Sequence, residues 1–324
     1  MENPRARLEL TPEASAFVDE WLSPLPYVEA HTSGSTGAPK AIRLLKDDMR
    51  RSARATLDFF GLGEGSTLLL PLEPSYIAGK MQIVRAIEGG CRLIAEHASR
   101  QPFATSAEFT PSSMIAIVPA QIEGLMESPL FGMIGAVLVG GAPTPPHLER
   151  MLTETGVNAY ATYGMTETCS HVALRRFGED LFHGLPGFTF TTTDDGCLVI
   201  ESAHMSFGRL VTNDVVELMG GNVFRFLGRK DNVINSGGIK IHPEEIEKHL
   251  LPALPTGYSA YITSRPSHEW GEEAVIVTDW PDLTMTAVSA ILNGLPHRMV
   301  PKDVIYRSIL PRTATGKIIR QRIR

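Results

Sequence analysis

Apolar positions at helical spacing from Ala14 to Leu22 predict a short amphipathic helix, and the same spacing from Asp47 to Phe60 predicts a longer one stopped by Gly61. Beyond it the pattern contracts to brief apolar runs at Thr67 to Leu70, Arg92 to Ile94, Met114 to Val118, Ala136 to Val139 and Asn158 to Thr162. Strands recurring roughly every 20 to 25 residues, with helical patterns between them, predict βαβ units and a mostly parallel sheet. From Gly187 the texture changes. Alternating runs at Thr189 to Thr193, Cys197 to Glu201, Val215 to Met219 and Val223 to Leu227 are separated by Asp-Gly and Gly-Gly, which predicts antiparallel hairpins.

A second break falls around Gly228 to Gly238. His242-Pro243-Glu244-Glu245 then starts a helix: proline lacks an N–H that the first turn would leave unpaired, and the acids favour the positive end of the helix dipole. Strands at Ser259 to Thr263, Glu273 to Val277 and Asp303 to Ser308, with a helix at Ala287 to Leu292, complete the pattern. The expected fold class is α/β. A large N-terminal domain, residues 1–230, combines a mostly parallel sheet and helices with a small antiparallel β subdomain, and a small α+β C-terminal domain follows at 231–324.

Composition narrows the function classes. The 324 residues suffice for about two domains, and 43% hydrophobic with 20% charged residues is a globular balance. Thirty Lys+Arg against 36 Asp+Glu leave a net charge of −6, which argues against a chain-wide nucleic-acid surface. Cys91, Cys169 and Cys197 show no CxxC spacing, so a disulfide framework is not expected and a reducing cytoplasm fits. The start MENPRARLEL lacks the apolar core of a signal peptide, and runs such as Met133 to Val139 are too short to span a bilayer. No integral membrane segment is expected; peripheral membrane contact stays open.

The densest chemical feature is His31-Thr32-Ser33-Gly34-Ser35-Thr36-Gly37-Ala38-Pro39-Lys40. Glycines let backbone N–H groups converge, hydroxyls add donors and the lysine adds charge, a combination suited to a polyphosphate. It is not a Walker loop, because Pro39 stands where that motif needs glycine and Lys40 to Leu44 continues as a strand rather than a helix.

This decapeptide resembles the phosphate loop of the adenylate-forming superfamily of acyl-CoA synthetases, adenylation domains and luciferases. Further motifs follow in that family's order: Tyr163-Gly164-Met165-Thr166-Glu167-Thr168, Thr212-Asn213-Asp214 with Asn for the usual Gly, Gly228-Arg229-Lys230-Asp231 with Ser236-Gly237-Gly238, and Pro311-Arg312-Thr313-Ala314-Thr315-Gly316-Lys317. The resemblance implies that a carboxylate attacks the ATP α-phosphate, releasing pyrophosphate, and that the acyl group then passes to a thiol. It implies that Thr32, Ser33, Gly34, Ser35, Thr36, Gly37 and Lys40 hold the β and γ phosphates, with Glu167 as the Mg²⁺ carboxylate and Thr166 near the α-phosphate. Gly140-Gly141-Ala142 would lie along adenine, with Tyr163 and Gly164 against it, and Asp214 and Arg229 would hold the ribose. Lys317 would stabilise the adenylation transition state. Asp231 would be the hinge about which a mobile C-terminal lid turns, bringing Gly237 and Gly238 to the CoA pantetheine.

Plain readings stand beside these. Glu167 or Asp214 alone would pass for a helix cap or solvated acid, and Lys317 for one more charge in the tail that runs from Arg307 to Arg324. Cys169 lacks a convincingly placed activating histidine, His31 and His171 suit core or solvent roles, and His268-Glu269 lacks the second histidine of a zinc HExxH.

Within the superfamily, Tyr163 to Ser170 together with Val118-Pro119-Ala120-Gln121 resembles the o-succinylbenzoate-CoA ligases of menaquinone biosynthesis. Lys80 is a candidate partner for such a substrate's second carboxylate; a lysine on a helix surface is the alternative. Two departures stand out. Glu73-Pro74 replaces an aromatic-His motif, and only some thirty residues precede the phosphate loop, so sheet strands are expected to be missing and an edge exposed unless it is covered or paired in a homo-oligomer. The expected ligands are ATP, Mg²⁺, CoA and a small carboxylic acid. A CoA ligase for another aryl or fatty acid, loading of a carrier protein and non-catalytic nucleotide binding are the alternatives.

Overall fold

The computed structural model describes residues 5–31, 41–105, 113–296, 299–312 and 318–323. Two compact units emerge, and the chain passes between them several times. The first comprises Met1–Thr191, Ile200–Leu210 and Met219–Phe224; the second comprises Thr192–Val199, Val211–Leu218 and Arg225–Arg324.

The first unit begins with β1 (Leu8–Glu9) and α1 (Pro12–Leu22). Thr11 caps α1, its hydroxyl accepting from Ala14 N at 3.3 Å, and Pro12 sits in the first turn where no donor is lost. The helix buries Ala14, Phe17, Val18 and Trp21. β2 (Tyr27–His31) and β3 (Ala41–Leu45) form an antiparallel pair whose ladder closes at His31↔Ala41 and so brackets residues 32–40. α2 (Lys46–Phe60) ends at Gly61, whose φ of +62° is the left-handed turn that glycine takes without steric cost.

There follow β4 (Thr67–Leu70), α3 (Ile77–Gly89), β5 (Arg92–Ala95), β6 (Ser113–Ile117), α4 (Ile122–Glu127), β7 (Ile134–Val139), α5 (Pro146–Glu154) and β8 (Asn158–Gly164). The strands pair in parallel in the order β1-β5-β4-β6-β7-β8, and β9 (His171–Arg176) and β10 (Leu181–Gly184) extend the row antiparallel. Central strands covered on both faces read as unbroken apolar runs, which is why Leu68, Leu69 and Leu70 are all buried. Ile115, Val137, Leu125 and Leu152 share one core cluster, where truncating Ile115 to Ala would cost about 2–5 kcal/mol.

The expected open edge is covered. β1 lies outside β5, with Leu8 opposite Leu93, and Arg92 Nε donates to Glu9 Oε1 at 3.0 Å. A strand of two residues leaves little edge to recruit another chain.

β11 (Thr189–Thr192), β12 (Cys197–Glu201), β13 (Arg209–Gly220) and β14 (Val223–Arg229) are divided between the units. The second unit continues with β15 (Ile234–Ser236), β16 (Ile239–Ile241), α6 (Pro243–Leu250), β17 (Ala260–Ser267), β18 (Gly271–Thr278), α7 (Met285–Ile291) and β19 (Val304–Tyr306). Its sheet runs β16-β15-β18-β17, with β19 parallel to β18. Ile246, Leu250, Ile262, Ile276 and Val288 pack in its core. An antiparallel bridge between Arg312 and Ile318 brackets residues 313–317. The α/β class, with a large mostly parallel sheet and a smaller antiparallel one, is as the sequence predicts. β2, β9 and β10 are additions that the apolar pattern did not reveal.

Candidate functional site

Ligands of open α/β sheets gather where parallel strands end, and Gly140, Gly141, Ala142, Thr166 and Glu167 lie there. β7 and β8 are neighbours, with Val139 opposite Ala161. β7 runs out into Gly140-Gly141-Ala142, and β8 into Gly164-Met165-Thr166-Glu167. Gly140 N donates to Ile117 O at 3.0 Å, and a Cβ there would strike the Thr162 hydroxyl. Gly141 has φ +80°. The space beside Gly140 is thus taken by the protein's own Thr162, and Gly141 is exposed.

The turn after β8 is tightly built. A Cβ on Gly164 would collide with Ser170 O as the chain doubles back. Residues Thr166–Thr168 make one 3₁₀ turn, closed by Cys169 N donating to Thr166 O at 2.9 Å. The Thr168 hydroxyl accepts from Met165 N at 3.0 Å and lies 2.7 Å from Ser170 O. Cys169 takes the left-handed conformation at φ +62°, a backbone state uncommon for a residue with a side chain. Thr166 is half-buried, whereas Glu167 is exposed and has no hydrogen-bond or ion-pair partner among the described residues. The Tyr163 ring is buried edge-on to Phe182 and Phe224, at 5.7 and 5.1 Å between centroids.

Burial, and then the charge of Asp48, push the Cys169 thiol up to about 12, so it stays protonated and is no nucleophile. His171 is a core histidine, bonded to Thr56 and Ser170. Gln121 has a larger structural part than its motif suggested. Its side-chain oxygen accepts from Val118 N at 3.1 Å, and its amide donates to Pro71 O and Ser99 O, both at 2.8 Å. One side chain thus ties together the chain leaving β4 and the chain leaving β6. A glutamine two residues after a proline at a strand end is the only signal the sequence offered.

Lys80 is not on a helix surface. It is buried on α3, with Nζ 3.3 Å from Glu20 Oε2 and 4.3 Å from the centre of the Phe17 ring. Glu20 also accepts from Glu29 N at 3.0 Å, so α1 holds the lysine through a carboxylate that is itself fixed.

In the second unit, Asp214 is buried on β13, where its N–H donates to the Thr212 hydroxyl at 3.1 Å. Arg229, at the end of β14, donates to Asp214 Oδ1 and to Asp231 Oδ2, each at 3.2 Å. One guanidinium therefore links the expected ribose acid and the expected hinge acid. Gly237 has φ +57°, and a Cβ there would lie 2.5 Å from Trp270 Cε3. Gly238 has φ +83° with open space around it. Thr32, Ser33, Gly34, Ser35, Thr36, Gly37, Lys40 and Lys317 lie outside the described residues, between the two antiparallel brackets noted above.

Residues 18–193 match the family of AMP-binding enzymes. This chain belongs to that family. The expectation of an adenylate-forming enzyme related to the acid-CoA ligases is borne out at this level. An acyl-CoA synthetase (AMP-forming)/AMP-acid ligase II-like protein from Dyadobacter fermentans is 33% identical, with 94% of this chain and 91% of that one covered and a TM-score of 0.64. The indoleacetate-CoA ligase of Aromatoleum aromaticum is 27% identical over 92% of this chain and 67% of its own length. A 2-succinylbenzoate-CoA ligase of Bacillus mycoides is 26% identical over 97% of this chain and 73% of its own length. No helix among the described residues of this AMP-binding enzyme is long and apolar enough to cross a membrane.

Proposed function

We propose that this AMP-binding enzyme is an AMP-forming acid-CoA ligase acting on an aryl carboxylic acid, with 2-succinylbenzoate, a menaquinone precursor, as the first candidate. The observation that carries the reading is the pairing of the Gly140-Gly141 backbone with the Thr166–Glu167 turn at the ends of neighbouring strands, together with names of acid-CoA ligases among the relatives. In the first half-reaction a carboxylate oxygen bonds to the ATP α-phosphorus and the bond to pyrophosphate breaks. In the second, the CoA sulfur bonds to the acyl carbon and AMP leaves. Negative charge moves onto phosphate oxygens in the first step, so fixed donors and cations supply most of the catalysis.

In this reading Thr32, Ser33, Ser35, Thr36 and Lys40 bind the outer phosphates, Thr166 meets the α-phosphate, and Asp214 accepts the ribose hydroxyls. The single exposed carboxylate of Glu167 fits Mg²⁺, which is commonly held by one or two carboxylates plus nucleotide phosphates and keeps several waters. Lys317 stabilises the adenylation transition state and leaves when the lid, taken as residues 231–324, turns about Asp231 to bring Gly237 and Gly238 to the thiol. Lys80 meets the second carboxylate of a diacid by exchanging Glu20 for it.

The test is pyrophosphate release with ATP, Mg²⁺ and CoA across a panel holding 2-succinylbenzoate, indoleacetate, other aryl acids and fatty acids. Turnover with 2-succinylbenzoate but not with monoacids supports the full reading. A preference for indoleacetate keeps the ligase and overturns the diacid, and absence of AMP with every acid sinks the ligase. Lys317→Ala should cripple adenylation by more than about a hundredfold while sparing thioester formation from supplied acyl-adenylate; equal loss of both halves contradicts its assignment.

A further inference from the structure

A row of polar groups, buried except for the half-buried Ser170, runs behind the Thr166–Glu167 turn and is used by no step above. Arg85, on α3, is 2% exposed and has no carboxylate partner among the described residues. Its Nη2 donates to Ser170 Oγ at 2.6 Å and its Nη1 to Gln82 Oε1 at 3.3 Å, while Nε is buried without a partner. Ser170 Oγ lies 3.2 Å from His171 Nδ1, and His171 Nε2 lies 3.0 Å from Thr56 Oγ1, which is 3.2 Å from Ser52 O on α2.

The direction of the bonds in this row is set from its carbonyl end. Ser52 O only accepts, so Thr56 sends its proton there and accepts from His171 Nε2; the bare Nδ1 then accepts from Ser170, whose oxygen in turn accepts from Arg85. One neutral tautomer of His171 satisfies all of these bonds, and burial holds its pKa well below the ordinary value, with Arg85 acting in the same direction. At its other end the row is rooted in the sheet, where Gln82 Nε2 donates to Leu69 O on β4 at 3.1 Å and lies 3.4 Å from Met114 O on β6. Ser170 is the residue whose carbonyl meets Thr168 Oγ1 and crowds Gly164, so fixing Ser170 fixes the closing point of the turn. A buried guanidinium without a carboxylate is costly, and an apolar residue would fill the space at less cost in desolvation.

We propose that Arg85, Ser170, His171 and Thr56 are positioning residues: a one-way hydrogen-bond row that locks the Thr166–Ser170 turn and so aims the Glu167 carboxylate at the nucleotide-bound Mg²⁺. The inference rests on the adenylating reading of that turn. It does not depend on which acid is the substrate.

The experiment measures ATP affinity by calorimetry with and without Mg²⁺, and takes the ratio, for wild type, Ser170→Ala, Ser170→Thr, Glu167→Gln and the Ser170→Ala/Glu167→Gln double variant. Partners that orient a metal ligand are commonly worth 10–100-fold in metal affinity, so Ser170→Ala should reduce the Mg²⁺ enhancement about tenfold or more. Ser170→Thr, which keeps the hydroxyl, should restore it. In the Glu167→Gln background, where the metal contact is already gone, Ser170→Ala should change nothing further. A merely structural serine would lower the thermal midpoint and leave the ratio as in wild type. That result overturns the row if Glu167→Gln abolishes the enhancement, and the adenylating reading of the turn then survives. If Glu167→Gln leaves the enhancement intact, the metal role of Glu167 falls and the row falls with it.

Discussion

The two units each contain an arginine drawn into the structure, and they are treated in opposite ways. Arg320 in the second unit meets the buried Glu247, with Nη2 2.6 Å from Oε2, and Nη1 donates to Ile262 O at 3.0 Å. Burial opposes the charge on Arg320, but the bonds to Glu247 outweigh it and hold the pKa above its ordinary value. Arg85 in the first unit has, among the described residues, only a hydroxyl and an amide, and burial pulls its pKa down to about 10. The first arrangement is an anchor: with Thr263 Oγ1 donating to Gln321 O at 3.1 Å and Ile323 N to Ser264 O at 2.9 Å, it fastens the chain just beyond residues 313–317. The second places a full charge at the head of a row of neutral hydrogen bonds. An ion pair fixes where a segment sits, whereas a guanidinium among neutral groups holds one end of a hydrogen-bond row.

The contrast can be broken. Glu247→Ala takes from Arg320 its bidentate acid, leaving only Glu244 Oε1 at 3.7 Å from Nη2 among the described residues, and should cost about 3 kcal/mol in chemical denaturation, the largest effect expected. Arg85→Met strands only the acceptors on Ser170 and Gln82, each worth about 1–3 kcal/mol, and removes a desolvation cost, so its net loss should be smaller. A loss equal to that of Glu247→Ala would mean that Arg85 has an acid partner after all.

His171 sharpens the comparison through pH. Its folded pKa is depressed, so its neutral form contributes stability in full above about pH 6.5, where the unfolded histidine is also neutral. Below that, only the unfolded chain takes up the proton. The contribution is lost as pH falls toward the folded pKa, at up to about 1.4 kcal/mol per pH unit. Denaturation midpoints followed from pH 7.5 to 5.0 should therefore fall more steeply in wild type than in His171→Gln. Parallel curves would show that the buried imidazole is not held neutral. The smallest effect belongs to the solvent-facing pair of Lys230 and Asp195, 2.6 Å apart: Lys230→Met should leave the unfolding midpoint unmoved at moderate salt.

Much of the fold was legible because its strands advertise themselves. Thr67 to Leu70 and Cys197 to Glu201 carry uninterrupted apolar runs between turn residues, and both are strands at those bounds. Tyr27–His31 was hidden because two polar residues and a flanking Pro26 mask a short strand that needs Ala41–Leu45 to exist. The polar members of α3 were not legible. Lys80, Gln82 and Arg85 are all buried, because their partners Glu20, Leu69 O and Ser170 come from distant parts of the chain. The family resemblance singled out Gly140, Gly141 and Glu167, and all three lie just beyond the ends of β7 and β8. It could not locate Ser170, Thr56 or Gln121 as supports, because their work depends on contacts that only the folded sheet creates.

The repeated passage of the chain between the two units has a practical edge for anyone recombining such enzymes. A part joined by a single crossing can be exchanged between homologues with one splice. Here a splice at residue 230 would leave 192–199 and 211–218, both belonging to the second unit, on the donor side of the seam. Chimaeras built at that seam would mix two homologues within the second unit, and a junction between 192 and 224 would mix them within both units, so a library of shuffled sequences should yield few stable members with a single junction there.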